Sequence, residues 1–336
     1  MGFSRKALAA GLLAGVGVGV AAGIASRRPH PRERLGGHRA RSLTVETDDG
    51  VRLAVDVDAP DRPRHAVVFA HGWVLNRHCW HYQREALAGQ ALLVTYDQRG
   101  HGHSTPGRYA DCTIERLGAD LRAVIDAAVP PELPVVLVGH SMGGMTVMGL
   151  AASEPGLFGS RVVGVALLST SAGGLAGSTF GLPGPLGRAV PRLTPLVLER
   201  LRTRAAFVDG NTAIKTRANW PFTRFTAFGP RARRDHVRFV NGMVAATPTE
   251  VMVGFFHGMM AHDKLAALQA LSRVETLVAV GTHDRLTSPA HARRIAAALP
   301  HARLVVIPGA GHMIGLERPE IVNAELTDLL ARAVPV

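Results

Sequence analysis

The 336-residue sequence contains few cysteines, few lysines and few aromatic residues. Its two cysteines, Cys79 and Cys112, exclude a disulfide-stapled scaffold and a cysteine-rich metal site, and the sequence leaves open whether they pair or stay free. Aromatic residues make up 5% of the chain and are not interleaved with basic residues, so we expect no nucleic-acid binding. The histidine-containing stretches 78–81 and 257–262 lack the spacing of a zinc site, so we expect no metal and no other cofactor.

Positive charge is concentrated in two parts of the chain. Residues 1–41 contain eight arginines and lysines against one acidic residue, and residues 172–250 contain twelve against four. All other positions together contain 18 basic and 21 acidic residues. The formal net charge of +12 therefore comes from an N-terminal tail and one internal segment. A basic segment of this kind fits either contact with anionic headgroups or a solvated charged surface, and the sequence leaves both open.

Residues 7–25 carry no charge and are flanked by basic pairs at 5–6 and 27–28. As a helix with a rise of about 1.5 Å per residue, they would reach roughly 28 Å, close to the thickness of a bilayer's hydrocarbon core. They fit an uncleaved membrane anchor, a signal peptide cleaved near residue 25, or a disordered tail rich in alanine and glycine. We therefore expect a membrane-associated protein, or a secreted one if the segment is removed. In an anchor, four glycines on one face would favour helix self-association: Gly11, Gly15, Gly19 and Gly23.

From residue 42 onwards, short apolar runs alternate with helical patterns. Alternating segments at 42–47 and 53–58 flank Asp48-Asp49-Gly50 and predict a β-hairpin. Continuous apolar runs, typical of strands buried on both faces, follow at 66–70, 91–96, 135–138, 162–168, 277–280 and 304–307. Helical periodicity lies at 114–129, 145–152, 291–299 and 319–333. This order predicts an α/β protein with a doubly wound, mostly parallel sheet of about eight strands and helices on both sides.

A long insertion breaks the alternation after the sixth strand. About a hundred residues separate the run ending at 168 from the run starting at 277, and they include the internal basic segment. We interpret residues 172–271 as a helical cap over the end of the sheet where α/β enzymes hold their sites. The remaining divisions are a hydrophobic segment with a basic linker at 1–41 and a core at 42–171 and 272–336.

The stretch VLVGHSMGGM at 136–145 places Ser141 in the pattern G-x-S-x-G between a strand and a helix. A serine on such a tight turn adopts an unfavourable backbone conformation, and small neighbours let the chain pass close by. The backbone N–H of Met142 then lies at a helix N-terminus, where it can stabilise a developing oxyanion. The pattern predicts that Ser141 is a catalytic nucleophile.

With this turn, the chain resembles the α/β-hydrolase fold superfamily, in particular its serine esterases and lipases. In that family the acid and the histidine follow later strands in the order Ser, Asp, His. Here Asp284 follows the run 277–280, and His312 follows the run 304–307. The resemblance implies that His312 is the base for Ser141 and that Asp284 orients its ring.

Two further stretches match this family. His71-Gly72-Trp73 matches its H-G-x turn, which implies that the Trp73 N–H is the second oxyanion donor and that the indole walls the pocket. Residues 97–104, DQRGHGHS, match its D-x-R-G-x-G-x-S loop, which we interpret as structural.

The stretches FAHGWVLN and DQRGHGHS are similar to the cofactor-free haloperoxidase and arylesterase branch. Epoxide hydrolases and dehalogenases use a carboxylate as nucleophile, so the serine at this position argues against both groups. We expect hydrolysis of a small-molecule, lipophilic carboxylic ester through an acyl-enzyme. A carbon–carbon bond hydrolase or a haloperoxidase with the same triad stays an alternative, as does a non-catalytic ligand binder of this fold. Six residues are candidates for the substrate pocket: Gly72, His140, Phe222, Phe255, Met259 and Met313.

Overall fold

The computed structural model describes residues 35–38, 40–182 and 184–334. The uncharged segment 7–25, with Gly11, Gly15, Gly19 and Gly23, lies outside these residues. The anchor, the signal peptide and glycine-mediated self-association therefore stay predictions.

The eight predicted strands form one sheet. They are β1 (Arg41–Glu46), β2 (Arg52–Asp58), β3 (Ala66–Ala70), β4 (Leu92–Tyr96), β5 (Val135–His140), β6 (Val162–Leu168), β7 (Glu275–Gly281) and β8 (Arg303–Ile307). Their order across the sheet is β1-β2-β4-β3-β5-β6-β7-β8. β1 pairs antiparallel with β2, and β2 with β4, whereas all other neighbours are parallel. The predicted hairpin and the mostly parallel sheet are confirmed.

Strand β5 illustrates why the central strands are apolar at every position. Val135 and Leu137 pack into one hydrophobic cluster, whereas Val136 and Val138 pack into a second. Because side chains alternate between the two faces of a strand, these clusters lie on opposite faces of the sheet. Helices cover both faces, so an alternating polar residue would be buried without a partner.

The described helices are α1 (His81–Leu87), α2 (Ile114–Ala128), α3 (Met142–Ser153), α4 (Gly184–Arg202), α5 (Ala205–Asp209), α6 (Thr212–Thr226), α7 (Arg234–Ala246), α8 (Thr249–Ala261), α9 (Leu268–Leu271), α10 (Pro289–Ala298), α11 (Ile314–Glu317) and α12 (Pro319–Ala333). The local sequence determines where several helices begin. The Thr113 side chain caps α2 by accepting from the Arg116 N–H, and α10 and α12 begin with proline. Helices α4–α9 lie between β6 and β7 and form the expected helical insertion. The division into separate domains stays a prediction.

One question left open by the sequence is answered within the described residues. Cys79 and Cys112 are both free thiols. In this part of the chain, no single helix is long and apolar enough to cross a membrane, although α7 and α8 pass that test as a pair bent by 100°.

Candidate active site

The sheet topology brings the two glycine-containing turns together. β3 and β5 are parallel neighbours with Ala70 opposite Gly139, so both strands end at the same edge. The H-G-W turn after β3 therefore lies beside the turn after β5 that carries Ser141. The strand order reverses at this point, because β4 follows β3 on one side of the pair and β6 follows β5 on the other.

The backbone of Ser141 is held in a conformation that non-glycine residues rarely adopt. Its φ is 53° and its ψ is −118°. A side chain at Gly143 would overlap the carbonyl of Ala70, so only glycine lets α3 start this close to β3. The Ser141 N–H donates to Leu168 O at 2.9 Å, and Thr170 Oγ1 donates to Ser141 O at 2.7 Å. These contacts hold the turn in its strained conformation.

Asp284 and His312 form a buried pair. The Nδ1 of His312 lies 2.9 Å from Oδ2 of Asp284, and each residue is 4% exposed. The backbone N–H groups of Leu286 and Thr287 donate to Oδ1, each at 2.9 Å, and Thr287 Oγ1 donates to Oδ2 at 3.0 Å. Burial acts to raise the pKa of Asp284, but the charge of His312 and these hydrogen bonds outweigh it and lower the pKa below its usual range. The carboxylate is therefore ionised when it faces the imidazole.

His140 connects the loop that carries His312 to the turn that carries Ser141. Its Nε2 donates to the backbone carbonyl of His312 at 3.0 Å, and the two rings lie 4.8 Å apart. Burial, followed by the charge of His312, lowers the pKa of His140 to about 3, so the ring is neutral. Among the described residues no hydrogen bond is formed by Ser141 Oγ. Hydrogen bonds between nucleophile and base often tighten only when substrate is bound.

The backbone amides of Trp73 and Met142 lie near Ser141 and have no acceptor in the described part of the chain. Met142 is the first residue of α3, where N–H groups lack intrahelical partners. The indole of Trp73 points to the cap, since Nε1 donates to the carbonyl of Met252 in α8 at 3.0 Å. The two proposed oxyanion donors are thus free to bind a ligand oxygen.

The six pocket candidates lie in different surroundings. Phe255 and Met259 are buried on α8 in a cluster that includes Met142. Gly72 lies against the His140 ring, because an added Cβ would be 2.8 Å from Nδ1. Met313 is buried on the other side of the sheet's end, in the cluster around Trp80. Phe222 is 50% exposed on α6.

A polar network behind the H-G-W turn was not anticipated from the sequence. Gln98 donates its backbone N–H to His71 Nε2 at 2.9 Å and its side-chain amide to His71 O at 2.6 Å. Thr146 Oγ1 donates to Gln98 Oε1 at 2.7 Å. Burial lowers the pKa of His71 to about 4, so its neutral ring can accept from Gln98. The only sequence signal was that Gln98 lies within the D-x-R-G loop.

Glu317 is a second unanticipated residue. Its two carboxylate oxygens accept from the N–H groups of Gly229 and Gly311, each at 2.8 Å. Gly311 precedes His312, and Gly229 follows cap helix α6, so the carboxylate joins the histidine loop to the cap. Burial raises the pKa of Glu317 to about 7, against the opposing effect of the two amides.

One cluster has donor atoms that could surround a cation. Ligand atoms of His38, His81 and Glu85 all lie within 4.8 Å of one another. The charge of Arg84 lowers the pKa of His38, after the larger effect of burial, so a positive group already lies close to this cluster. His81 and Glu85 lie on α1, His38 precedes β1, and the cluster shares no residue with the Ser141 turn.

Comparison with known proteins gives a consistent result. The model of the alpha/beta hydrolase fold family matches residues 65–319. A monoacylglycerol lipase of Mycolicibacterium smegmatis is 36% identical over 118 residues, which cover 34% of this chain and 42% of the lipase, so the match spans less than half of that relative. A pimeloyl-(acyl-carrier protein) methyl ester esterase of Stenotrophomonas maltophilia is 27% identical over 80% of this chain and 94% of its own. The structure of a thermophilic esterase from Thermogutta terrifontis superposes with a TM-score of 0.65 at 25% identity, over 88% of this chain and 100% of that chain.

Proposed function

The chain belongs to the alpha/beta hydrolase fold family, and from this membership we propose that it is a serine esterase that cleaves lipophilic carboxylic esters. The observation that carries the proposal is the buried Asp284–His312 pair beside the positive-φ turn of Ser141. A carboxylate that orients an imidazole next to a serine on a tight turn is the arrangement that activates a hydroxyl for acyl transfer.

In the proposed reaction, Oγ of Ser141 attacks the carbonyl carbon of the ester and its proton passes to Nε2 of His312. The Trp73 and Met142 amides donate to the oxyanion of the tetrahedral intermediate, and Asp284 stabilises the imidazolium. His312 then protonates the departing alkoxide as the C–O bond breaks, which leaves an acyl group on Ser141. Water attacks this acyl-enzyme with His312 as base, and the acid and the free serine are released.

Aromatic rings beside the oxyanion turn support a lipophilic substrate. The ring of Trp73 lies 5.9 Å from that of Phe256 in α8, and Phe256 lies 6.5 Å from Phe180. These rings extend from the Trp73 amide towards the cap and give an acyl chain an apolar wall. The names of the compared relatives, an esterase and a lipase among them, agree with ester chemistry.

The test is hydrolysis of p-nitrophenyl esters over a series of acyl lengths, with labelling by a fluorophosphonate as a second readout. We expect Ser141→Ala to lose both hydrolysis and labelling. Ser169→Ala is the matched control, because Ser169 also follows a strand, is buried and has a positive φ of 47°. It should keep both.

The outcomes separate the proposal from its alternatives. Hydrolysis that survives Ser141→Ala would show that another group is the nucleophile. A folded wild-type protein that hydrolyses no acyl length would refute the esterase and favour a non-catalytic binder. A preference for longer acyl chains supports the lipophilic substrate, whereas a preference for acetyl esters contradicts it.

A further inference from the structure

Large hydrophobic side chains that are exposed occur mainly on three consecutive cap helices. Among the described residues seven such side chains are exposed, and five of them lie on α4–α6. Their exposed fractions are Leu193 37%, Leu196 68%, Phe207 72%, Ile214 63% and Phe222 50%. Single exposed apolar residues are common on protein surfaces. A group of them on one part of the molecule marks an interaction surface.

The exposed residues share helix faces with arginines. On α4, Leu196 lies four residues after Arg192 and four before Arg200, so all three project from one side of the helix. On α6, Ile214 and Arg217 share an exposed face, whereas Lys215 is buried. Helix α5 packs against both α4 and α6, so the outward sides of the three helices adjoin. We call this surface the α4–α6 face.

The positive charge of the α4–α6 face is not neutralised internally. Glu199 and Asp209 are the acidic residues of the segment 184–226. Glu199 pairs with Arg202 and Asp209 with Lys215. Four further arginines are exposed and make no side-chain hydrogen bond or ion pair within the described residues: Arg192, Arg200, Arg204 and Arg217.

We propose that the α4–α6 face docks on the surface of a lipid bilayer that contains anionic lipids. Protruding Leu, Ile and Phe side chains fit the boundary between headgroups and acyl chains, and unpaired arginines fit lipid phosphates. The neighbouring cleft has the same character. It has a volume of about 480 Å³ and is lined by Trp220, Phe225, Arg224 and Arg285, among others. Tryptophan and arginine together are typical of membrane interfaces.

A row of aromatic rings connects this face to the candidate active site. Phe222 lies 6.4 Å from Phe180, which is followed by Phe256 at 6.5 Å and Trp73 at a further 5.9 Å. Phe180 has a φ of 49°, so its backbone is strained at the centre of this row. An acyl chain leaving the docked bilayer would reach Trp73 along apolar rings. This last step rests on the proposed esterase, whereas docking itself does not.

The test is hydrogen–deuterium exchange of the full chain, resolved by peptide, with phosphatidylcholine vesicles prepared with and without phosphatidylglycerol. We expect amides of residues 184–226 to exchange roughly threefold more slowly, or slower still, with anionic vesicles. Phe207→Ser with Ile214→Ser should remove this protection, and Arg200→Gln with Arg204→Gln should reduce it. The matched control is Leu304→Ser, because Leu304 is equally apolar and 37% exposed but lies on β8.

Reading exchange peptide by peptide keeps the result independent of residues 7–25, which are the same in every variant. Unchanged exchange at 184–226 in the presence of anionic vesicles overturns the proposal. Equal protection by neutral vesicles overturns the role assigned to the arginines. Protection by vesicles in a protein without esterase activity would uphold docking and refute the esterase, whereas full activity without protection would do the reverse.

Discussion

The buried Arg99 of the core and the exposed arginines on α4–α6 of the cap differ in whether they have an acidic partner. In the core, Arg99 is 1% exposed, and its guanidinium donates to Asp120 at 2.6 and 2.7 Å and to Asp49 at 2.9 Å. In the cap, arginines such as Arg200 and Arg204 are exposed without an acidic partner in the described residues. A buried charge must be paired, so the core fixes these positions, whereas the cap's outward surface is free of that constraint.

The same contrast holds for the loops that carry the site. Asp97 at the start of the DQRGHGHS loop accepts from the Arg77 N–H at 2.7 Å and the His103 N–H at 2.9 Å. Asp284 is likewise surrounded by donors. The loops of the core therefore hold positions as firmly as the proposed chemistry requires.

The largest effect should follow from changing the proposed catalytic pair of the core, Asp284 and His312. Asp284→Asn keeps the shape but presents an amide to Nδ1 of His312, so the ring loses its orienting acceptor. We expect kcat for p-nitrophenyl esters to fall by about 10³- to 10⁴-fold. Thr287→Val removes only the hydroxyl that lies 3.0 Å from Oδ2 and should cost roughly tenfold at most. Similar losses in the two variants would contradict the assignment of Asp284.

The next prediction compares a core arginine with a cap arginine directly. Arg99→Met removes the closer of the two cations of Asp120, which is fully buried, and leaves it only Arg116 at 3.4 Å, so the free energy of unfolding should fall by about 3 to 5 kcal/mol. Arg202→Met removes an exposed pair with Glu199 and should have little effect. Urea denaturation of both variants measures the difference. Equal destabilisation would show that the ion pair of Arg202 contributes as much to stability as the buried pair of Arg99.

Glu317 lies at the boundary between the two regions and gives a pH test. Its pKa is raised from 4.5 to about 7 in the folded state. The stability it contributes is therefore fully present below about pH 4.5 and is lost as the pH rises to about 7. Relative to Glu317→Gln, the wild-type free energy of unfolding should fall over this range by up to about 3 kcal/mol.

Urea denaturation of both proteins at several pH values measures this dependence. The buried histidines titrate in both proteins, so their contribution cancels. A difference between the two proteins that does not change with pH would show that Glu317 does not titrate in this range.

Much of the core could be predicted from the sequence because its constraints are local. Six of the eight strands were predicted from continuous apolar runs, which are typical of strands buried on both faces of a sheet, and β1 and β2 from alternation around a hairpin turn. The turn at Ser141 was recognisable because its glycines are required within three positions of the serine. Glu317 could not be predicted, because its partner Gly229 lies 88 residues away and is reached only through the fold.

The cap was harder to predict because its apolar residues serve two purposes. Phe222 and Phe255 both lie on helices and look equivalent in the sequence, yet Phe222 is 50% exposed and Phe255 is 1% exposed. Which face of a helix is buried depends on its neighbours, and the cap packs through α8 rather than through the outward sides of α4–α6. Composition alone therefore could not separate pocket residues from surface residues.

The smallest expected effect concerns Trp73, which belongs to both regions. Its backbone N–H is a proposed oxyanion donor on the core, whereas its indole N–H donates to Met252 of α8. Trp73→Phe keeps the backbone donor and most of the contact with Phe256 but removes the indole hydrogen bond. We expect the free energy of unfolding to fall by about 1 kcal/mol. Because the core fixes the donor independently of the cap, kcat should stay within about threefold of wild type, with the change appearing in KM. A loss of kcat of about 100-fold would mean that the cap holds the oxyanion turn in place, and the two regions would then act as one.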